Sequence, residues 1–278
     1  MNLVQKAEKL LIVRAIRSGL INTIPVLLVG AFALVFKSFP VAAYQEFIGT
    51  LGGGFLLDLF DLIIKATYGV LAVYVTLFVS HAYMGLKADP NAPIGGAVVA
   101  SLSAFFIFAG IGSEGFGLDN LGAKSVFMSI LTGLAASAIY LSLHRVLLRK
   151  VNYTILSRGA DANFNRMLTA LAPIVLTAII FAYVNTVVAY VFHVDSFNEL
   201  IIVAFNRLFE GLGPSFEGGL LFVLLSSFLW FFGIHGSDAL ESVMQEYFVP
   251  GLEANQAAVA MGADPTFILT KQFSTASC

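Results

Sequence analysis

Polar residues in this chain gather in clusters, and the apolar stretches between them are long enough to cross a bilayer. Residues 1–18 set Lys6, Lys9, Arg14 and Arg17 among Leu3, Val4, Ala7, Leu10, Leu11 and Ala15. That amphipathic, basic pattern predicts a helix lying on the membrane surface. A first span is predicted over residues 19–36, followed by Lys37, and residues 44–61, with Gly52-Gly53-Gly54, predict a short helix and turn on the far side. A second span covers residues 62–84, with Lys65 near one end where its stem can snorkel. Lys87-Ala88-Asp89-Pro90-Asn91 is a polar turn, and a third span over residues 93–111 is rich in Gly, Ala and Ser, which suits close helix contacts in lipid. Residues 112–124 form a glycine-rich loop, a fourth span takes residues 126–148, residues 149–166 are polar and basic, and a fifth span takes residues 167–191. Residues 196–209 keep a period near 3.6 interrupted by Asn198, Glu199, Asn206 and Arg207, so an amphipathic helix along the interface is predicted. A sixth span over residues 218–234 closes on Trp230-Phe231-Phe232-Gly233-Ile234-His235-Gly236-Ser237-Asp238.

Composition agrees with the pattern. The chain has 278 residues, 58% hydrophobic and 12% charged, where a soluble domain carries roughly 25% charged residues. Long continuous apolar runs indicate helices rather than the two-residue alternation of an outer-membrane barrel. The predicted class is an all-α integral membrane protein: a polytopic bundle of about six membrane segments, an amino-terminal amphipathic helix and the start of a re-entrant element. A net charge of -2 argues against a nucleic-acid footprint. The single cysteine, Cys278, is the last residue and cannot form an internal disulfide. No cleavable signal peptide of the usual form opens the chain.

Lysine and arginine set the predicted orientation. Basic residues precede the first span, and Arg145, Arg149, Lys150, Arg158 and Arg166 follow the fourth, whereas Lys37 and Lys124 are the main positives in the opposite loops. The amino terminus is therefore expected inside, and on a simple count the sixth span then delivers His235 to or near the cytoplasmic face, whereas a re-entrant element would place it deeper.

No phosphate-binding loop, dinucleotide fingerprint or His-Glu-x-x-His pattern occurs, so neither cofactor nor metal is expected. Histidines 81, 144, 193 and 235 lack any paired metal-ligand spacing. His144, beside Arg145 at a span end, is expected at the interface. His193 is expected to cap the fifth span, and His81 to be a hydrogen-bonded core residue. His235 differs, because glycines flank the region and Asp238 follows. An ionisable ring at the end of an apolar segment is costly to place, and glycine lets the backbone turn or approach a ligand. Asp58 and Asp61 are expected to be solvated caps, and Glu210 and Glu217 charges around a Gly211-Leu212-Gly213-Pro214-Ser215 hinge. Glu241 and Glu246 either orient the histidine or face water.

The string Trp230 to Gly236 resembles the motif of the membrane component, enzyme IIC, of the lactose/cellobiose type in the bacterial phosphoenolpyruvate-dependent phosphotransferase system. Arg17-Ser18-Gly19-Leu20 with Ile24-Pro25-Val26-Leu27-Leu28-Val29-Gly30 is similar to that family's first helix. Asn255, Gly262 and Phe267-Ile268-Leu269-Thr270-Lys271-Gln272-Phe273 resemble the stretch after its glycine-histidine motif. The resemblance implies a multi-pass sugar permease of the bacterial cytoplasmic membrane, working as a homodimer. Residues 1–194 would be the scaffold and dimer interface, and residues 195–278 the start of the sugar-binding domain. It implies a sugar substrate, a beta-linked glucoside disaccharide being the family's usual type, and a separate B component whose phosphocysteine donates the phosphoryl group. His235, Gly233 and Gly236 would be substrate-binding residues of the sugar site, and no catalytic residue is expected in the chain.

The family runs on well past this motif to a Gly-Gly-Ser-Gly segment and an Asn-Glu-Pro motif, neither of which occurs here. The chain is therefore expected to be a fragment of a transporter. The alternative is a permease-derived sensory or anchoring module joined to a cytoplasmic signalling output.

Overall fold

The computed structural model describes residues 10–50, 54–89, 91–114, 116–150, 159, 161–213, 215–231, 236 and 240–270, except the side chains at 149, 150, 230 and 231. Among these residues every regular element is helical. The principal helices are α1 (Leu11–Lys37), α2 (Ala42–Thr50), α3 (Phe55–Thr67), α4 (Leu71–Lys87), α5 (Ile94–Phe108), α6 (Val126–Lys150), α7 (Ala162–Phe192), α8 (Phe197–Phe209) and α9 (Phe216–Phe231). A helical turn at Glu241–Val243, a π-helical turn at Met244–Phe248 and α10 (Val249–Ala260) follow.

Helices α4, α5 and α6 pack together at the centre, α1 lies against α4, and α7 lies against α5 and α6. Small residues make the crossings possible, because apolar side chains gain little from one another in lipid and backbones must approach closely. A Cβ on Gly19 of α1 would stand 2.7 Å from the Val79 Cα of α4. Gly133 of α6 faces the Thr76 carbonyl of α4 at 3.2 Å from a would-be Cβ. Between them three buried hydroxyls close a ring across the three central helices. Ser101 donates to Ser80 at 3.1 Å, Ser137 donates to Ser80 at 2.8 Å, and Ser101 and Ser137 lie 3.2 Å apart. One apolar core extends from Ile16 through Val75, Phe105, Met128 and Phe181 to Phe209, Phe222 and Phe248. The outer faces of α1 and α7 instead expose Ile21, Leu28, Phe32, Leu171, Ile179 and Tyr183, as helices without an aqueous surround do.

The six predicted spans resolve differently. Four helical segments among the described residues are long and apolar enough to cross a membrane: Leu11–Lys37, Phe55–Lys87, Ala123–Leu148 and Ala162–Phe192. The third and sixth predicted spans are the shorter helices Ile94–Phe108 and Phe216–Leu229. Fifteen residues of α5 reach about 22 Å, short of a hydrocarbon core of about 30 Å. The chain leaves α5 through Gly110, whose φ is +84°, and Asn120 donates to the terminal Ala109 carbonyl at 2.9 Å.

Other expectations shift with packing. The second span starts at Phe55, not residue 62, because Lys37 of α1 pairs with Asp61 and lets that carboxylate stay within the helix. Three-ten geometry at Tyr68–Val70 separates α3 from α4 where Gly69 sits. The amphipathic segment predicted over residues 1–18 has no break at Gly19: from Leu11 it is continuous with the first span, and residues 1–9 lie outside the described residues. His144, expected at the interface, is buried to 1% exposure beneath Tyr140 at 5.9 Å, and neither ring nitrogen has a hydrogen bond. It lies four residues after Tyr140 and seven after Ser137, on the same inward helix face. His81, expected in the core, is exposed, because Val75, Val79 and Tyr83 form the buried stripe of α4. His193 ends α7 with a left-handed φ of +54°. Asp89 in the α4–α5 turn accepts from Arg145 Nε at 2.8 Å, tying that turn to α6.

Candidate functional site

The glycine-histidine motif follows α9, so the site begins with how that helix is placed. Gly211 and Gly213 take left-handed φ values of +82° and +52° between α8 and α9, a conformation that costs glycine nothing. The Ser215 hydroxyl then accepts from the Gly218 N–H at 3.2 Å and caps the start of α9. Phe222 and Ser226 face inward along α9.

Gly236 is the motif residue the structure describes. It is buried, and a Cβ there would stand 2.3 Å from both the carbonyl and hydroxyl oxygens of Ser226 and 2.5 Å from its Cα. Ser226 lies ten residues earlier, so by Gly236 the chain has returned along α9. The close approach needs a residue without a side chain. His235 and Gly233 lie outside the described residues.

Backbone hydrogen bonds of helical spacing start at Gly236. Gly236 O accepts from Leu240 N at 3.0 Å and Leu240 O from Met244 N at 3.0 Å. Leu240, Met244 and Phe248 are buried, with Phe248 on Phe222 at 5.4 Å between ring centroids. Tyr247 donates to the Asn206 carbonyl of α8 at 3.3 Å, and Asn206 donates to the Glu246 carboxylate. Burial, and then the charges of Glu246 and Glu210, push the Tyr247 phenol above its ordinary range, so it remains a donor. These contacts set Glu241–Glu246 beside α8 and Lys124, at the end of the bundle where α6 begins. That corrects the simple count that carried the chain after the sixth span to the opposite end.

Farther on, Asn255 of α10 accepts from the N–H groups of Thr266 and Phe267 at 3.0 Å each and donates to the Phe267 carbonyl at 2.7 Å. Gly262 turns the chain there with φ +75°. Asn255 and Gly262, singled out by motif, are thus structural.

Beside the returning segment lies a cavity of about 890 Å³, lined by the α3–α4 junction, the 118–124 loop, α8 and residues 241–246. Glu241, Gln245 and Glu246 line it together with Asn206, Lys65 and Lys124. Sequence reasoning did not select Asn206 or Gln245. The available signal was the pair of asparagines on α8, Asn198 and Asn206, whose eight-residue spacing puts them on nearly one helix face.

Comparisons with known proteins bear on what this arrangement serves. A family model described as "Phosphotransferase system, EIIC" matches residues 17–278. The cellobiose-specific EIIC component of Geobacillus stearothermophilus is 25% identical over 276 residues, covering 94% of this chain and 59% of that protein. The lichenan permease IIC component of Bacillus subtilis (strain 168) is 23% identical over 274 residues, covering 94% of this chain and 59% of the relative. The oligo-beta-mannoside-specific EIIC component of the same organism is 28% identical over 222 residues, covering 77% of this chain and 49% of the relative. In fold, the chain is similar to the crystal structure of the transporter ChbC, the IIC component of an N,N'-diacetylchitobiose-specific phosphotransferase system. The TM-score is 0.64 at 21% identity, over 97% of this chain and 64% of that one. The chain thus spans about three-fifths of the length of the first two relatives.

Proposed function

The chain belongs to the phosphotransferase-system EIIC family, and from that premise we propose that it holds a sugar for phosphorylation by a separate B component during uptake. The observation that carries the reading is Gly236 packed on the Ser226 backbone. A chain that has come back to α9 by Gly236 supports a re-entrant element at the glycine-histidine motif over one that runs out of the bundle. His235, Gly233 and Gly236 are the sugar-site residues in this reading, the glycines allowing the backbone to approach the ligand.

The chemistry is a phosphoryl transfer. A sugar hydroxyl oxygen attacks the phosphorus of the B component's phosphocysteine, the P–S bond breaks, and the electron pair leaves on sulfur. The hydroxyl proton passes to a ring nitrogen of the His235 imidazole, which can accept it. Residues 1–194 serve as scaffold and homodimer interface, and residues 195–278 begin the sugar domain. The amino terminus lies on the cytoplasmic side, as the basic residues of the 145–166 stretch support. The relatives' names, cellobiose, lichenan and oligo-beta-mannoside, favour a beta-linked di- or oligosaccharide. All three relatives are named as EIIC or IIC components, one of them as a permease, which favours transport over a sensory module.

The test is His235→Ala assayed in membranes with the B component. Sugar phosphorylation and sugar binding are both expected to fall; wild-type levels of both would overturn the assignment.

A further inference from the structure

The cavity beside residues 241–246 has its own chemistry, apart from the glycine-histidine turn. Its volume of about 890 Å³ lies within the range of ligand sites, about 300–1,000 Å³. Its charges nearly cancel, with Lys65 and Lys124 set against Asp119, Glu241 and Glu246, so it does not select a strongly charged ligand. Two carboxylates are each joined to an amide: Gln245 donates to Glu241 at 2.6 Å, and Asn206 donates to Glu246. The π-helical turn at Met244–Phe248 carries Gln245 and Glu246 on this wall, as such turns often do at functional sites.

Two buried acceptors on α8 point to what the ligand must offer. The Asn206 side-chain oxygen is buried without a hydrogen-bond partner. So is that of Asn198, a residue 2% exposed, whose amide nitrogen donates to Ser125 at 2.9 Å. Asn198 lines an adjoining cavity of about 250 Å³ that shares Lys124 and Ile202 with the larger one. Eight residues along a helix separate the two oxygens' backbones by about 12 Å. Buried acceptors without donors are unfavourable unless a donor arrives. A neutral molecule rich in hydroxyl groups supplies donors to the asparagine oxygens and acceptors to the lysines at once.

We propose that this cavity is a second saccharide-binding station, a vestibule at the α6-start end of the bundle through which a neutral oligosaccharide passes before reaching the glycine-histidine turn. The inference rests on the permease reading for the class of ligand. It adds Asn198, Asn206 and Gln245 as sugar-contact residues.

The test is site-directed thiol protection in the purified chain with Cys278→Ser as background. Ser242→Cys places a thiol in the cavity, and Ala263→Cys on an exposed loop is the control. Maleimide labelling rates are measured with cellobiose, mannobiose and maltose, while emission of the single tryptophan, Trp230, which opens the glycine-histidine motif in sequence, is followed as a second readout. At least one disaccharide is expected to slow labelling at Ser242→Cys severalfold and leave Ala263→Cys unchanged. Adding Asn198→Leu should raise the half-protecting concentration about three- to tenfold through the lost hydrogen bond, with the Trp230 spectrum of the free protein unchanged. A Trp230 response without protection at Ser242→Cys would overturn the vestibule and leave the permease reading standing. Silence at both positions would overturn both.

Discussion

Gly236→Ala tests the contact on which the site is built. An ideal Cβ at position 236 meets the Ser226 carbonyl oxygen and hydroxyl at 2.3 Å, against 3.4 Å for an ordinary contact, so the returning segment must withdraw from α9 by about 1.1 Å. A gap of that size forfeits a quarter to a half of the dispersion energy of the atoms it separates. Overpacking costs about 1–3 kcal/mol, and because the carbonyl is backbone no rotamer change relieves it, the upper half of that range applies. Alanine's better helix propensity offsets at most about 1 kcal/mol, leaving a net loss of about 1–2 kcal/mol. Reversible unfolding in mixed detergent micelles measures the difference directly. Gly85→Ala on α4 is the control: nothing lies within 4 Å of a Cβ there, and it should stabilise by about 0.5–1 kcal/mol. Adding Ser226→Ala to Gly236→Ala removes the hydroxyl but not the carbonyl, so it should restore less than half of the loss. Wild-type stability for Gly236→Ala, or a gain matching that of Gly85→Ala, would refute the close approach.

His144→Leu removes a buried ring whose two nitrogens have no partner, so the variant should be neutral or up to about 2 kcal/mol more stable; a loss above about 1 kcal/mol in the same assay would contradict that. Asp89→Asn should cost about 0.2–1 kcal/mol near pH 7, since Arg145 is 43% exposed. The hydrogen bond from Arg145 holds the Asp89 carboxyl below the usual carboxylate range, partly opposed by burial. Its contribution is therefore complete above about pH 3.9 and is lost as pH falls through the lower folded value. Stability curves of wild type and Asp89→Asn should converge in that acid window; a gap that widens there would show the sign to be wrong. Ser80→Ala deprives Ser101 and Ser137 of a shared acceptor and should cost about 1 kcal/mol, as interhelical bonds in membranes do. Ser142→Ala, which removes only a hydroxyl bonded to its own helix at Ala138, should cost less, and equal losses would argue that the hydroxyl ring contributes nothing between helices.

The membrane class and the helix positions were readable from the chain because hydropathy is a sum over local residues, and 58% apolar residues in long runs leave few alternatives to helices. Helix ends were less readable. Asp61 looked like a boundary until Lys37, 24 residues earlier, was placed beside it, and α5 stops short because Gly110 turns and Asn120 seals its end. The two misplaced histidines show the same division at finer scale. His144 shares the inward stripe of Ser137 and Tyr140, a periodicity present in the sequence but outweighed by its neighbour Arg145. His81 lies off the stripe of Val75 and Val79, and its mid-span position suggested a burial that the packing does not provide.

At the site, the glycines flanking His235 marked a place where backbone must turn or come close, since glycine alone tolerates either without a side chain. Counting spans could not say where the turn leads, because a count assumes that each apolar run crosses. Gly236 against Ser226 reverses the direction, and that contact depends on two segments meeting in space. The cavity lay further from view for the same reason: its walls come from α3, the 118–124 loop, α8 and residues 241–246. No local pattern encodes the meeting of four distant segments; their packing around one core brings Lys65, Lys124, Asn206 and Gln245 to the same space.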